Sequence, residues 1–168
     1  SETSTSQDPV SYYIDHTIYT GRPADTTDRL PKEIRTYDLL DSLGITYTRA
    51  DHDTLPTMEA CQEVGKLLGI EIAKTYFFRN TQKTAFYLLI LPGSKKFKTA
   101  ALSKQIGSAR LSFAEPEFME QYLNITPGSV SVLGLMNDPE NKVRLLIDKD
   151  ILENHPTSDV IHVSTPPA

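Results

Sequence analysis

The residues best suited to chemistry lie in one short segment, GSVSVLGLMND, which begins at Gly128. Gly128 and Gly134 allow close backbone approach and positive φ angles. Ser129 and Ser131 alternate around Val130, so an extended segment would present both hydroxyls on one face. Backbone N–H groups and small hydroxyls can hold a polar ligand without filling its space. Composition alone favours a plainer interpretation, in which a glycine-bounded edge strand is followed by an Asn-Asp turn.

Two cations mark the ends of a second segment. Lys74 precedes the apolar run Tyr76-Phe77-Phe78, and Arg79 follows it. A lysine at the mouth of a sheet can place its charge beside a phosphate or a ribose hydroxyl, or it can be a strand-end residue held in water. Arg79 suits an internal pair with a carboxylate and contact with RNA equally well.

Sites of other kinds are not indicated by the sequence. The spacing of the His, Cys, Asp and Glu residues predicts no zinc site. The phosphate-binding patterns GxxxxGKS/T and GxGxxG do not occur, and Ser129 is not in a GxSxG context. We therefore expect neither a metal nor a cofactor.

The hydrophobic pattern and the capping residues predict the elements that position these segments. Helices are predicted over Glu33–Ser42, from the N-cap Thr57 to Gly69, over Ala101–Ile106 and over Glu115–Leu123. Strands are predicted at Ile45–Arg49, Thr75–Arg79, Ala85–Leu91, Ser129–Leu133, Val143–Ile147 and His162–Ser164, with a hairpin turn at Asn80–Gln82. Interleaved helices and hairpins favour an α+β fold, with a mixed, largely antiparallel sheet and flanking helices.

Length and composition restrict the class of protein. The chain has 168 residues, which suits one domain, and we assign residues 32–168 to it and residues 1–31 to a partly disordered N-terminal arm. No apolar run approaches the roughly 20 residues that span a bilayer, and the N-terminus lacks the pattern of a signal peptide. The single cysteine, Cys61, fits a reducing cytosol. We expect a cytoplasmic protein without a membrane partner.

The charge of the chain limits its partners. The net charge of −5 argues against a protein that coats nucleic acid non-specifically. Five cations form a local basic cluster in the sequence: Lys95, Lys96, Lys98, Lys104 and Arg110. Such a cluster can bind the end of one RNA strand, or it can be a solvated surface without a partner. The oligomeric state does not follow from the sequence.

Four blocks, in a fixed order from about Arg35 onward, resemble the signatures of one family. GSVSVLGLMND resembles its GSVxPFGLxND motif, and IAKTYFFRN, from Ile72, resembles its KNLFLRD segment. ARLSFAEPEFMEQYLNITPGSV, from Ala109, resembles its RLSF-to-PGSV block, and His155-Pro156 resembles its HPxxN element. The family is that of the freestanding prolyl-tRNA editing domains, within the YbaK-like aminoacyl-tRNA deacylase superfamily. The resemblance implies the YbaK-like editing-domain fold.

The resemblance also implies roles for individual residues. Lys74 aligns with the family's signature lysine and would anchor a ribose or a phosphate, beside Thr75, where the family often has Asn. Asn137 and Asp138 would form the pocket rim, with the acidic residue able to orient Lys74 or a water. His155 would line the amino-acid pocket and limit side-chain size. The remaining implied site residues are Gly128, Ser129, Ser131, Arg79, Gly134 and Asp159, the last standing where the family has Asn.

The implied reaction is hydrolysis of the ester that links an amino acid to the terminal adenosine of a tRNA. The enzyme would hold the carbonyl against backbone N–H donors and position a water. The substrate's vicinal hydroxyl assists in this family, so we assign no general base. The implied target is mischarged Ala-tRNA(Pro), corrected in trans by a second, smaller pocket. The partners would be the acceptor end of tRNA(Pro) and, as a further candidate, prolyl-tRNA synthetase.

Three alternatives remain open at this point. The first is a sister deacylase for another mischarged tRNA, such as Cys-tRNA(Pro). The second is a module that binds tRNA or a synthetase without turnover. The third is a regulatory domain that senses free amino acids.

Overall fold

The computed structural model describes residues 12–53, 57–127 and 130–154. In chain order its elements are β1 (Tyr19–Thr20), α1 (Pro31–Ser42), β2 (Thr48–Arg49), α2 (Met58–Leu68), β3 (Lys74–Asn80), β4 (Phe86–Leu91), α3 (Thr99–Ile106), β5 (Leu111–Phe113), α4 (Pro116–Phe118), a π-helical turn (Met119–Leu123), a 3-10 helix (Val132–Asn137), β6 (Val143–Ile147) and α5 (Lys149–Asn154). Helices and strands alternate, as the sequence predicts.

A four-stranded sheet, in the order β5-β3-β4-β6, forms the centre of the fold. The hairpin pair β3–β4 is antiparallel and pairs Lys74 with Leu91 and Arg79 with Phe86. Strand β5 is also antiparallel to β3, whereas β6 runs parallel to β4. The predicted α+β class and the mixed, largely antiparallel sheet are confirmed.

The two faces of this sheet are covered by different elements. Phe77 and Leu88 point to one face and form a core with residues of the π-helical turn, including Leu123. Phe78 and Leu89 point to the other face and pack against the side chains of α3 and its preceding loop. This alternation along β3 and β4 follows from the pleat, which turns successive side chains to opposite faces. Both faces of the central strands are therefore buried.

Predicted caps are confirmed where the signal is local. The Thr57 side chain accepts a hydrogen bond from the backbone N–H of Ala60 at 3.2 Å, which begins α2. Gly69 ends the same helix with a left-handed φ of 71°, and Gly44 follows α1 with a φ of 68°. Glycine adopts this conformation without the steric penalty of a Cβ atom.

The segment before α1 contacts the rest of the fold. Strand β1 pairs with β2, and Ile14, whose side chain is buried, forms an isolated antiparallel β-bridge with His52. Arg22 also donates hydrogen bonds to Asp38 and Asp41 of α1, at 3.0 and 3.1 Å. The expected arm therefore supplies a strand and a buried residue. The domain boundary after residue 31 stays a prediction.

The predicted strand at Ser129–Leu133 is wrong where the structure describes it. Residues from Val132 onward form the 3-10 helix, with Ser131 as its N-cap. Its first turn closes through a 3.0 Å hydrogen bond from the N–H of Gly134 to the carbonyl of Ser131. An apolar run this short does not distinguish a strand from a helical turn. The predicted strand at Ile45–Arg49 shortens to β2, and that at His162–Ser164 lies outside the described residues.

Candidate functional site

A small cavity lies between α1 and the 3-10 helix. Its volume is about 80 Å³ and its walls are mostly apolar. The 3-10 helix and the residue before it contribute Ser131, Gly134 and Asn137, three of the residues that the sequence singles out. The other lining residues are Leu30, Lys32, Glu33, Arg35, Thr36, Leu123, Asn124, Ile125, Thr126, Leu133 and Met136. This cavity is therefore the place where the signature segment meets α1.

Ser131 keeps a donor for a ligand, but the backbone after it does not. The Ser131 hydroxyl oxygen accepts a hydrogen bond from the N–H of Leu133 at 3.2 Å, and its own O–H has no acceptor among the described residues, so it can donate to a ligand. The N–H groups of Leu133 and Gly134 are both used within the turn. The backbone N–H donors that the implied reaction requires are therefore not supplied by Leu133 or Gly134.

Gly134 is required by packing rather than by its φ angle. A Cβ atom at this position would lie 2.4 Å from Cδ1 of Ile125 and 3.1 Å from Cβ of Leu123. Its φ is not among the positive values of the described glycines. The close approach predicted from the sequence is therefore present, but it is an approach to the protein's own core. The positive φ that a glycine allows is not adopted at this position.

Asn137 and Asp138 bind the protein's own backbone. The Asn137 side-chain amide donates to the carbonyl of Leu123 at 2.8 Å, which joins the 3-10 helix to the π-helical turn. The buried carboxylate of Asp138 accepts from the N–H groups of Lys142 at 3.0 Å and Val143 at 2.7 Å. Asp138 thus holds the turn that leads into β6.

The register of the sheet separates Asp138 from Lys74. Asp138 binds Val143, which pairs with Phe86, and Phe86 in turn pairs with Arg79. Lys74 lies five residues before Arg79 on β3, which is roughly 17 Å at about 3.3 Å per residue. The expectation that Asp138 orients Lys74 is therefore not met by this geometry.

Lys74 and Thr75 lie at the first end of β3. Both are half-buried, and they pair with Leu91 and Ile90. The Lys74 ammonium makes no hydrogen bond or ion pair among residues 12–53, 57–127 and 130–154. By pleat alternation Thr75 shares the Phe77 face and Lys74 the opposite one. Neither lines the cavity, so the structure does not bring them together with Ser131.

Arg79 makes an internal pair with Glu115. Its Nε donates to both carboxylate oxygens, at 2.8 and 3.0 Å, and another guanidinium nitrogen donates to the carbonyl of Asn80 at 3.1 Å. Hydrogen bonds from Arg79 are the largest cause that lowers the pKa of Glu115 to about 2. Of the two alternatives weighed for this arginine, the internal pair is the one observed.

Helix α1 supplies polar residues that the sequence reasoning missed. Glu33, Thr36 and Tyr37 are all buried, and the first two line the cavity. The spacing of three and four residues puts them on one face of the helix. That spacing was the available signal, but an acidic residue in a first turn usually faces water.

A network of charges surrounds Glu33. Arg29 donates to Glu33 and to Asp51, each at 3.0 Å, and Arg49 also pairs with Asp51. The hydroxyl of Tyr37 donates to Glu33, and burial is the main cause that raises the pKa of Tyr37. Two carboxylates and two guanidiniums therefore balance in a network of which Glu33 is the member that lines the cavity.

Only part of the basic cluster lacks internal ion pairs among the described residues. Lys95 bonds to Asp148 at 3.1 Å and to Asp150 at 2.8 Å. Lys96, Lys98, Lys104 and Arg110 are exposed, and their charged groups make no ion pair within the part of the chain that the structure describes. One of the five predicted cations is thus neutralised internally.

Four predicted site residues lie outside the described residues: Gly128, Ser129, His155 and Asp159. Within the described ranges, no group of three or more His, Cys, Asp or Glu side chains is placed to hold a metal ion. The helices in that part of the chain are all too short or too polar to cross a membrane.

Comparison with known proteins identifies the family to which this chain is similar. Residues 52–158 match the model of the aminoacyl-tRNA editing domain. The chain is 33% identical over 113 residues to the prolyl-tRNA editing protein ProX of Acetoanaerobium sticklandii. The aligned residues cover 67% of this chain and 69% of that protein. It is 28% identical over 109 residues to the proline–tRNA ligase of Xanthomonas campestris pv. campestris. The aligned residues cover 64% of this chain but only 18% of the ligase.

Two solved structures share the fold. One is a scaffold from work on computational epitope grafting, with a TM-score of 0.54 and 18% identity, covering 73% of this chain and 75% of that one. The other is the crystal structure of a hypothetical protein, with a TM-score of 0.51 and 22% identity, covering 68% of this chain and 73% of that one. At these identities the likeness concerns the fold alone.

Proposed function

Because this chain belongs to the aminoacyl-tRNA editing domain family and is therefore an aminoacyl-tRNA deacylase that acts in proofreading, we propose that its substrate is mischarged Ala-tRNA(Pro). The observation that carries the proposal is the small, mostly apolar cavity whose wall includes Ser131, Gly134 and Asn137. A cavity of about 80 Å³ is far below the roughly 300 Å³ at which drug-sized ligands begin. We infer that it suits a small aminoacyl group better than a whole nucleoside.

The reaction needs few protein groups. The oxygen of a water attacks the ester carbonyl, the bond from that carbon to the ribose oxygen breaks, and the ribose hydroxyl leaves with a proton. The developing oxyanion needs donors that are in place beforehand. We assign this role to the free O–H of Ser131 and to the backbone of Gly128 and Ser129. The vicinal hydroxyl of the ribose takes part in the proton transfer.

The other site residues fall into two groups. Lys74 and Thr75, at the end of β3 and apart from the cavity, suit the ribose or a phosphate of the acceptor end. His155 and Asp159 are assigned to the amino-acid pocket. Asn137, Asp138 and Arg79 bind other parts of the protein, so we propose that they support the site rather than touch the substrate.

Selectivity follows from the size of the cavity. A synthetase pocket built for proline admits alanine, and binding alone discriminates between such similar groups by only about 10- to 200-fold. A second pocket that accepts alanine and excludes proline would correct the error in trans. Size exclusion does not separate alanine from cysteine as sharply, so Cys-tRNA(Pro) is the second candidate substrate.

The decisive experiment is a deacylation time course on Ala-tRNA(Pro), Cys-tRNA(Pro) and Pro-tRNA(Pro). Wild type, Lys74→Ala and Lys66→Ala should be compared, because Lys66 is an exposed lysine on α2. We expect rapid release of alanine, little release of proline and a large loss in Lys74→Ala only. Equal hydrolysis of the alanyl and prolyl esters would refute the size argument. Retained tRNA binding with no hydrolysis would favour the binding-module alternative.

The partners and location form part of the same proposal. As an editing domain the protein acts on tRNA, and we propose prolyl-tRNA synthetase as a further partner because it generates the mischarged ester. Since that substrate is made where translation occurs, we propose a cytoplasmic location. Co-sedimentation with the synthetase, with and without tRNA, tests the first of these. Calorimetry with free alanine and proline tests the amino-acid-sensing alternative.

A further inference from the structure

One carboxylate oxygen in the cavity wall is buried without a partner. The Glu33 side chain is only 4% exposed. Its Oε1 accepts a hydrogen bond from Arg29 at 3.0 Å and another from the hydroxyl of Tyr37. Its Oε2 has no hydrogen-bond partner among the described residues, although the residue lines the cavity.

An unpaired oxygen of this kind is costly in a folded protein. A buried acceptor without a donor loses its hydration and gains nothing in return, and the loss is larger for a charged group. The two nearby guanidiniums already balance Glu33 and Asp51. What Oε2 lacks is therefore a donor rather than a countercharge, and a ligand in the cavity is the natural source of one.

Two neighbouring groups also have acceptor capacity to spare. The Thr36 hydroxyl donates to the carbonyl of Lys32 at 3.0 Å and keeps its lone pairs. The Asn137 side chain donates through its nitrogen to Leu123, and its oxygen has no donor in the part of the chain that the structure describes. Glu33, Thr36 and Asn137 all line the same small cavity. These three groups place acceptors side by side in the wall, whereas the donors of the lining include the Ser131 hydroxyl and the exposed cations Lys32 and Arg35.

We propose that this cavity receives the α-ammonium group of the aminoacyl moiety, with Glu33 Oε2 as its principal acceptor. The inference rests on the proposed deacylase function and adds to it a substrate-binding residue. An ammonium carries three donors and no acceptor, which matches the leftover groups. Its charge-assisted bond to a carboxylate is also stronger than a bond from a hydroxyl. The apolar remainder of the wall suits a small aliphatic side chain.

The proposal is tested by removing the charge from either partner. Ala-tRNA(Pro) and N-acetyl-Ala-tRNA(Pro) are compared as substrates for wild type and Glu33→Gln. We expect wild type to hydrolyse the acetylated ester at least about tenfold more slowly in kcat/KM. We expect Glu33→Gln to lose about tenfold on the free-ammonium substrate and little on the acetylated one, so that the two rates converge.

Matched control variants distinguish recognition of the ammonium group from a folding defect and from the steric effect of the acetyl group. Glu117→Gln alters an exposed carboxylate of α4 and should behave as wild type. Tyr37→Phe removes a donor to Oε1 but not Oε2, so it should retain discrimination against the acetylated ester. If the acetyl group acts only through its size, Glu33→Gln will discriminate as strongly as wild type, and the proposal fails.

A binding measurement keeps the inference independent of turnover. The probe is 3′-deoxy-3′-(alanylamino)adenosine, in which an amide replaces the ester, together with its N-acetyl derivative. Weaker binding of the unacetylated probe to Glu33→Gln, by about tenfold, supports the ammonium site even if no deacylation is seen. Equal affinity of wild type and Glu33→Gln for this probe overturns it. If wild type binds the probe but does not hydrolyse Ala-tRNA(Pro), that result counts against the proposed deacylase function and not against the ammonium site.

Discussion

The guanidinium of Arg79 and the carboxylate of Glu115 form a two-point contact between the end of β3 and the start of α4. Nε of Arg79 lies 2.8 and 3.0 Å from the two oxygens. Lys83 adds a more distant positive charge, 3.7 Å from the same carboxylate. The contact anchors α4 and the π-helical turn that follows it, and that turn contributes Leu123 to the cavity wall.

This pair predicts acid sensitivity. Hydrogen bonds from Arg79 are the main cause that lowers the pKa of Glu115 to about 2 in the folded protein. A lowered pKa in the folded state stabilises the protein above the unfolded-state pKa, and that contribution is lost as the pH falls toward the folded-state value. Glu115→Gln should therefore be less stable than wild type at pH 7, with the difference shrinking between about pH 5 and pH 2.

Urea unfolding across that pH range measures the effect. Glu117→Gln serves as the control, because Glu117 is exposed and has no ion pair in the described part of the chain. A constant difference between Glu115→Gln and wild type from pH 7 to pH 2 would contradict the assigned role of the pair.

Asp138 should be a stability residue rather than a catalytic one. Asp138→Ala leaves the buried N–H of Val143 without its acceptor, so we expect a loss of about 1–3 kcal/mol in the free energy of unfolding. Glu140→Ala, in the same turn but exposed, should change stability by less than about 0.5 kcal/mol. Chemical denaturation measures both. A folded Asp138→Ala protein of wild-type stability and no deacylase activity would reverse the assignment.

Gly134 should be intolerant of a methyl group. A Cβ atom here would approach Cδ1 of Ile125 to 2.4 Å, so Gly134→Ala should cost about 1–3 kcal/mol. Ile125→Val removes that Cδ1 atom and should cost about 0.5–1.5 kcal/mol by itself. Because the clash is then relieved, the double variant should be more stable than the sum of the single effects predicts. Strict additivity in a thermal unfolding cycle would show that the contact does not restrict position 134.

The exposed lysines should differ from Lys95 in tRNA binding. If Lys98 contacts a phosphate, Lys98→Ala should lower the slope of log K against log salt concentration by about 0.7–0.9. Lys95 is engaged by Asp148 and Asp150, so Lys95→Ala should leave that slope unchanged. Filter binding at several salt concentrations distinguishes the two. Identical slopes for wild type and Lys98→Ala would exclude this lysine from the RNA contact.

The sequence by itself determined the features that depend on neighbours along the chain. The N-cap at Thr57, the left-handed glycines 44 and 69 and the hairpin after Asn80 are local events, and each is found as predicted. The order of the four signature blocks was likewise sufficient to indicate the family, because it requires no knowledge of contacts. The α+β class followed from the alternation of such elements.

Only the tertiary structure decided which polar groups face one another. The partner of Arg79 lies 36 residues away, and the register of the sheet puts Asp138 at the opposite end from Lys74. The spacing of Glu33, Thr36 and Tyr37 puts them on one face of α1, but packing against the 3-10 helix, which lies far later in the sequence, decides that this face is buried. The physical reason is that burial and hydrogen-bond partners depend on packing between distant segments, whereas caps and turns depend on adjacent backbone.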